Sequence, residues 1–388
     1  AQRRPPVVKV GTLFDYTGAL AEFGPPFRLA ADMVADEINR AAQEVLGGPI
    51  IELIHEDSGT TASVGVDRAR KLVEVDGVAA IVGSLASGVT VPVAASVTIP
   101  AGVPLISPAS TSPLITVLPE DEGRDFLFRT IASDALQGVV AAQLAAGEID
   151  PSYKVRRAAT IYVNNPYGQG LSNAFAQAFR RRGGTVTAEV PVPEEVQPTY
   201  RAEISRALRG EPDVLLAITY PGQATVYLKE AVEIFGFKRF QFVDGTKSVD
   251  LIKVLGAEVL EGLYGTAPGS DPEWGGFTRF VAAYEARHGQ RPPYPFMDST
   301  YDAVAVIGLA VAKAVVDGVA QINGTAVRDR LRTVANPPGT RVGVGEFRQA
   351  LERLKAGADI DYSGAAGEAN FDAKGDVVTP VEIWRYTG

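Results

Sequence analysis

The chain has no cysteine and only two histidines, His55 and His288, in 388 residues. Disulfides, thiol nucleophiles and Cys-ligated zinc are thereby excluded, and a multi-histidine metal site is not expected. No stretch of eighteen consecutive apolar residues occurs, so no membrane-spanning segment is predicted. Lys and Arg number 37 against 46 Asp and Glu, and the resulting charge of −9 argues against a surface for nucleic acid or acidic lipid. A G-x-S-x-G elbow and a G-x-x-x-x-G-K-[ST] loop are both missing, and no histidine lies near a candidate serine. The expectation is a non-enzymatic protein without cofactor or metal. The opening AQRRPPVVKV carries no signal-peptide core, as is also expected of an exported precursor that has lost that segment.

What is present is ordinary for a globular chain, with 46% apolar and 21% charged residues, in a length that exceeds one hydrophobic core. Two domains are the first expectation. Strand and helix patterns alternate from the start: strand Val7–Leu13, helix Pro25–Val45 with Leu29, Met33, Val34 and Ile38 on its apolar face, strand Ile50–His55 and helix Ala62–Val75. After Phe126–Thr130 the same grammar resumes, with helix Ala135–Ala146, strand Ala158–Val163, helix Gly168–Arg182, strand Thr185–Val190 and further units to Val243. Helices are predicted at Pro272–His288, Ser299–Val316 and Thr325–Val334, and the terminal GEANFDAKGDVVTPVEIWRY reads as two short strands around a Lys-Gly-Asp turn. Repeated βα units pack right-handed with parallel strands. The fold class is therefore α/β, with two doubly wound parallel-sheet lobes.

One stretch organises the rest. In Ala80–Thr116 two apolar runs end in small hydroxylated residues, Ser84 and Ser87 after the first, Ser107, Ser110 and Thr111 after the second. Each cluster opens a predicted helix with a proline, Pro92 or Pro113, near its first turn. Two helix starts aimed at one place present unpaired N–H groups and positive dipole ends, which suit a small anion such as a carboxylate. Ligands of open α/β sheets sit beyond the carboxyl ends of strands. Those ends here also include Asn164–Tyr167, Thr219–Tyr220 and Asp244–Lys247, so facing lobes would enclose hydroxyls, tyrosines and one acid.

The chain resembles the type I periplasmic binding proteins, and within them the leucine/isoleucine/valine-binding receptors of ABC transporters. The resemblance rests on VKVGTLFDYTGALAEFG at Val8–Gly24, IVGSLAS at Ile81–Ser87, PLISPASTSP at Pro104–Pro113, NNPYGQGL at Asn164–Leu171, FVDGTKSVDLI at Phe242–Ile252 and ANFDAKGDV at Ala369–Val377. It implies three crossings between lobes, near Thr130, Thr266 and Val378, giving a first lobe of residues 1–130 plus 267–378 and a second of 131–266 plus 379–388. It places Ser87 and Thr111 on a ligand carboxylate, with Ala86 and Ser110 beside them, and the Thr111 hydroxyl and Ala109 carbonyl on part of an α-ammonium. Asp244 stands where the family carries an acid facing that ammonium, and Tyr220 reaches the polar end from the second lobe. Phe23, in place of a tyrosine, and Tyr167 close over the ligand. The implied protein is a monomeric periplasmic or extracellular membrane-associated receptor. It delivers a small amino acid, branched-chain or otherwise apolar, to an ABC permease. An aromatic acid, amide or other small carboxylate, for uptake or sensing, is the alternative.

Other residues have plainer readings. His55 in an apolar strand is expected to be a satisfied structural histidine. Asp57 is expected to cap the helix near Ala62 or fix the EDSGTT loop, and Lys247 to pair with Asp244 or with a second ligand carboxylate.

Overall fold

The computed structural model describes residues 3–269 and 271–388; Ala1, Gln2 and Ser270, which fall in the first lobe's predicted ranges, lie outside them. Strands β1 (Val8–Phe14), β2 (Ile51–Asp57), β3 (Ala80–Gly83), β4 (Leu105–Ser107) and β5 (Leu127–Arg129) form a parallel sheet in the order β2-β1-β3-β4-β5. A second sheet holds β6 (Arg157–Val163), β7 (Thr185–Val192), β8 (Val214–Ile218), β9 (Phe240–Phe242) and β10 (Tyr264–Pro268). A small parallel pair, β11 (Thr340–Val342) and β12 (Ile360–Tyr362), follows, and β13 (Val381–Arg385) closes the second sheet antiparallel to β10, in the order β13-β10-β9-β8-β6-β7. Both sheets are doubly wound α/β sheets, and near-continuous burial of β1, β3 and β8 reflects cover on both faces. The strand β10 includes Ala267 and Pro268, paired with Glu382 and Val381, so the chain leaves the second sheet beyond Thr266.

Helix Gly24–Val45 starts on Pro25 and Pro26, whose missing N–H groups cost nothing there, and buries Phe27, Met33, Val34 and Ile38. Leu29, predicted on that face, is exposed; the stripe is carried by Phe27 and the small Ala30 and Ala31 instead. Helix Met297–Val316 is long and apolar enough by composition to cross a membrane, yet it is mostly buried against Gly24–Val45 and Gly324–Ala335 as the core helix of the first lobe. The helix after β3 runs from Ser87 to Ala101, with Pro92 inside it and a widened π-type turn over Ala94–Thr98. Pro113 opens only a 3₁₀ turn, Pro113–Val117, rather than a full helix.

The terminal segment forms one strand, not two. Residues 372–376 do make the Lys-Gly-Asp turn, but Gly375 O accepts from Arg129 N at 3.0 Å and Phe371 packs edge-on against Phe128. Those contacts hold the segment on β5 of the first sheet. One apolar cluster spans the first lobe and continues across the gap through Ala19, Leu20 and Phe23 to Tyr167, Tyr220 and Val243. A second lies within the other lobe around Tyr200, Tyr227, Phe240 and Trp384.

Candidate functional site

A small cavity lies between the two sheets. Its lining combines turns that follow β1, β3, β4, β6, β8 and β9: Leu20, Phe23 and Phe27, then Leu85 and Ser87, Ala109, Tyr167, Tyr220, and Asp244 with Gly245, with Phe296 added from the loop before the core helix. Six sequence-predicted residues, Phe23, Ser87, Ala109, Tyr167, Tyr220 and Asp244, thus meet at one cavity.

Ala86, Ser110 and Thr111 are not in its lining. Ala86 precedes the helix and its carbonyl accepts from Val89 and Thr90 N–H. The Ser110 hydroxyl is spent on Thr90 Oγ1 at 2.7 Å and on the carbonyls of Ser84 and Leu85 at 3.1 and 2.9 Å. The Thr111 hydroxyl donates to Asp134 Oδ2 at 2.5 Å. Clustered hydroxyls satisfy one another and the strand-end carbonyls when buried, so not every Ser or Thr at these ends is left for a guest.

Ser87 differs. Its Oγ accepts from Ser112 N–H at 3.1 Å, which leaves its own proton without an acceptor among the described residues. The N–H groups of Ser87 and Gly88, in the helix's first turn, are likewise without acceptors there. Tyr220 is arranged in the same way: Asn165 Nδ2 donates to its Oη at 3.0 Å, and its own proton has no acceptor among the described residues. The Tyr220 ring stacks on Tyr167 with centroids 5.4 Å apart at 15°.

Asp244 forms the far wall. Its Oδ1 accepts from Tyr167 O–H at 2.6 Å and Gln137 Nε2 at 3.1 Å, and no side chain among the described residues donates to Oδ2. Gly245 is required beside it, because a Cβ there would lie 2.2 Å from Thr219 O and 3.0 Å from the Tyr167 hydroxyl. Gln137 Nε2 also donates to Asp134 Oδ1 at 2.7 Å, so one amide bridges two buried carboxylates. Burial pushes both carboxyls up, and the charge of Asp244 adds to the rise at Asp134, while hydrogen bonds from Tyr167 and Gln137 pull Asp244 back.

The loop Ser110–Ser112 is held from behind by Arg129, which is fully buried. Its Nη1 donates to Ser110 O at 3.1 Å and Ser112 O at 2.8 Å, Nη2 to Thr116 Oγ1 at 2.7 Å, and Nε to Asp376 Oδ1 at 2.7 Å, with Nη2 on Oδ2 at 3.2 Å. All five guanidinium donors are used. Sequence reasoning missed this clamp, as it missed Leu20, Phe27, Leu85, Gln137, Asp134 and Phe296. Phe27 was legible as the i+4 partner of Phe23; Gln137 and Phe296 carry no local signal.

The remaining polar residues have structural partners. His55 Nδ1 meets Thr12 Oγ1 at 2.6 Å and its Nε2 meets Asp32 at 2.9 Å. Asp57 fixes the loop by accepting from Tyr16 N, Thr17 Oγ1 and Gly59 N. Lys247 pairs with Glu382 at 2.5 Å, not with Asp244, because β13 brings Glu382 alongside.

Asp15, just after β1, is fully buried, and no hydrogen bond of good geometry from the described residues reaches either carboxylate oxygen. Burial raises its pKa from 3.8 to about 7, and the neighbouring Thr60 and Ser58 hydroxyls only partly offset this. A carboxyl raised on folding contributes stability that is full below pH about 4 and is lost as pH climbs through about 7. Asp15→Asn is therefore expected to match the parent near pH 4 and exceed it at pH 8, by up to about 4 kcal/mol. Urea unfolding at the two pH values checks this, and an equal difference at both would contradict it.

A cavity between two doubly wound lobes, with free donors from Ser87 on one lobe and Tyr220 on the other and a buried carboxylate at Asp244, is the site of a small-molecule-binding protein of the two-lobed type. The chain belongs to the periplasmic binding protein family, whose model matches residues 7–354. That family consists of solute-binding proteins of the ABC-transporter type, not enzymes. Over 98% of this chain and 87% of the relative, it is 26% identical to a chemotactic signal transduction system substrate-binding protein, BasB, of Halobacterium salinarum. It is 27% identical to a leucine-, isoleucine-, valine-, threonine- and alanine-binding protein of Pseudomonas aeruginosa, over 86% and 84% of the two chains. Among solved structures, a leucine-binding protein, LivK, of Thermotoga maritima superposes with a TM-score of 0.75 at 25% identity, covering 98% of this chain and 96% of that one.

Proposed function

We propose that the protein is the extracytoplasmic receptor of an ABC importer, monomeric, periplasmic or held at the outer face of a membrane. In this reading, residues 1–130 with 269–378 and residues 131–268 with 379–388 hinge together over a small apolar or branched-chain amino acid. The observation that carries the reading is the polarity of the cavity. Asp244, facing an otherwise apolar space lined by Leu20, Phe23, Phe27, Leu85 and Phe296, suits an α-ammonium, and the unused protons of Ser87 and Tyr220 suit an α-carboxylate. Charge-assisted hydrogen bonds contribute roughly 1.5–3 kcal/mol each, so a few of them with a buried side chain reach the roughly −8 kcal/mol of a micromolar complex.

A second reading, an aromatic acid bound for uptake or sensing, draws on the five aromatic rings of the lining and on the raised Asp244 carboxyl, which when protonated donates to an anion. The chemotactic role in the name of the Halobacterium salinarum relative favours sensing within it. Native mass spectrometry of the purified protein separates the two. A retained mass of a leucine-sized amino acid is expected, and a retained benzoate-type acid decides for the second reading.

A further inference from the structure

Beside the cavity, two turns from opposite lobes meet outside its lining. Glu22, from the turn that supplies Leu20 and Phe23, places its carboxylate on residues 248–250 of the other lobe. Oε2 accepts from Ser248 Oγ at 2.6 Å, and Oε1 accepts from the N–H groups of Val249 at 2.8 Å and Asp250 at 3.1 Å. The receiving turn is held in advance: Ser248 N–H donates to Tyr386 Oη at 2.9 Å, and the Tyr386 hydroxyl donates to Thr246 O at 2.5 Å. Next to Glu22, Gly222 N–H donates to Ala19 O across the same gap at 3.0 Å, while Tyr294 of Glu22's own lobe packs edge-on against Phe23 at 5.2 Å. Glu22 is absent from the cavity lining, yet it stands one residue before Phe23, and Ser248 stands three after Gly245.

We propose that Glu22 is the closing residue of this receptor, a positioning residue that converts a fitting solute into a held one. The inference rests on the solute-binding reading above. The two turns that contact the solute also carry the strap, so Glu22 reaches residues 248–250 only when the solute lets Leu20–Phe23 approach Asp244–Gly245. A solute too large for that approach is bound by one lobe but not clamped. In the open form Glu22 loses its bonds to residues 248–250 and keeps only Tyr294 of its own lobe, so it chiefly slows opening.

The absence of cysteine makes the test direct. Val75→Cys in the first lobe and Ile234→Cys in the second, both exposed positions, accept a spin-label pair without competing thiols. Interlobe distances and solute dissociation are measured for the parent, Glu22→Ala and Glu22→Gln, each with and without a mixture of the twenty amino acids plus benzoate. The parent is expected to shift to the short distance with solute. E22A is expected to dissociate about 10- to 100-fold faster with association nearly unchanged, E22Q falling between. The melting temperature of the solute-free protein is expected to be the same in all three. Parent-like dissociation in E22A, or an equal loss of solute-free stability, overturns the strap while leaving the receptor reading intact. A parent that binds and closes on nothing in the mixture overturns that reading and the strap with it.

Discussion

Asp244→Ala is expected to weaken binding of zwitterionic amino acids about 30- to 5,000-fold while leaving the solute-free fold intact. Removing one partner of a buried charged pair costs roughly 2–5 kcal/mol, and no other carboxylate among the described residues lines the cavity. The solute-free fold is expected to be spared because burial raises the Asp244 carboxyl, which already disfavours its charged form there. The substitution also releases Tyr167 and Gln137, whose donors turn to water in the emptied wall. Calorimetric titration and thermal melting read the two halves of the prediction. Unchanged affinity would remove the α-ammonium from Asp244.

Arg129→Met is expected to destabilise the fold by about 3–5 kcal/mol, because it leaves the Asp376 charge largely buried beside a lost partner. The same change frees the carbonyls of Ser110 and Ser112, so solute affinity falls as well. Pairing it with Asp376→Leu separates the two effects. The double substitution removes the orphan charge and is expected to recover most of the stability, whereas the loop before Pro113 stays unclamped and affinity stays low. Recovery of both together would mean that the clamp acts on the fold alone and not on the ligand loop. Chemical denaturation and titration of the two variants supply the comparison.

The wall residues were legible because βα units announce where their strands end. Ser87, Ala109, Tyr167, Tyr220 and Asp244 each follow an apolar run directly, and the physics of parallel sheets sends such ends to one side. What was not legible was how buried hydroxyls divide their bonds. Thr111 and Ser110 look like Ser87 in sequence, but Asp134, Thr90 and two carbonyls claim them. Long-range partners explain the other departures. Phe296 arrives from far along the chain with a left-handed backbone, φ 67°, which no periodicity reveals. Lys247 chose Glu382 because β13 returns to the second sheet. The segment read as two strands at the end is one strand preceded by a turn that Arg129 binds to β5.

The most direct measurement of the central claim is titration calorimetry of the solute-free protein with L-leucine, benzoate serving as the competing solute. The account predicts saturable one-to-one binding of L-leucine with a micromolar or tighter Kd, lost in Asp244→Ala, and little or no heat with benzoate. Saturable benzoate binding with no response to any amino acid would contradict it.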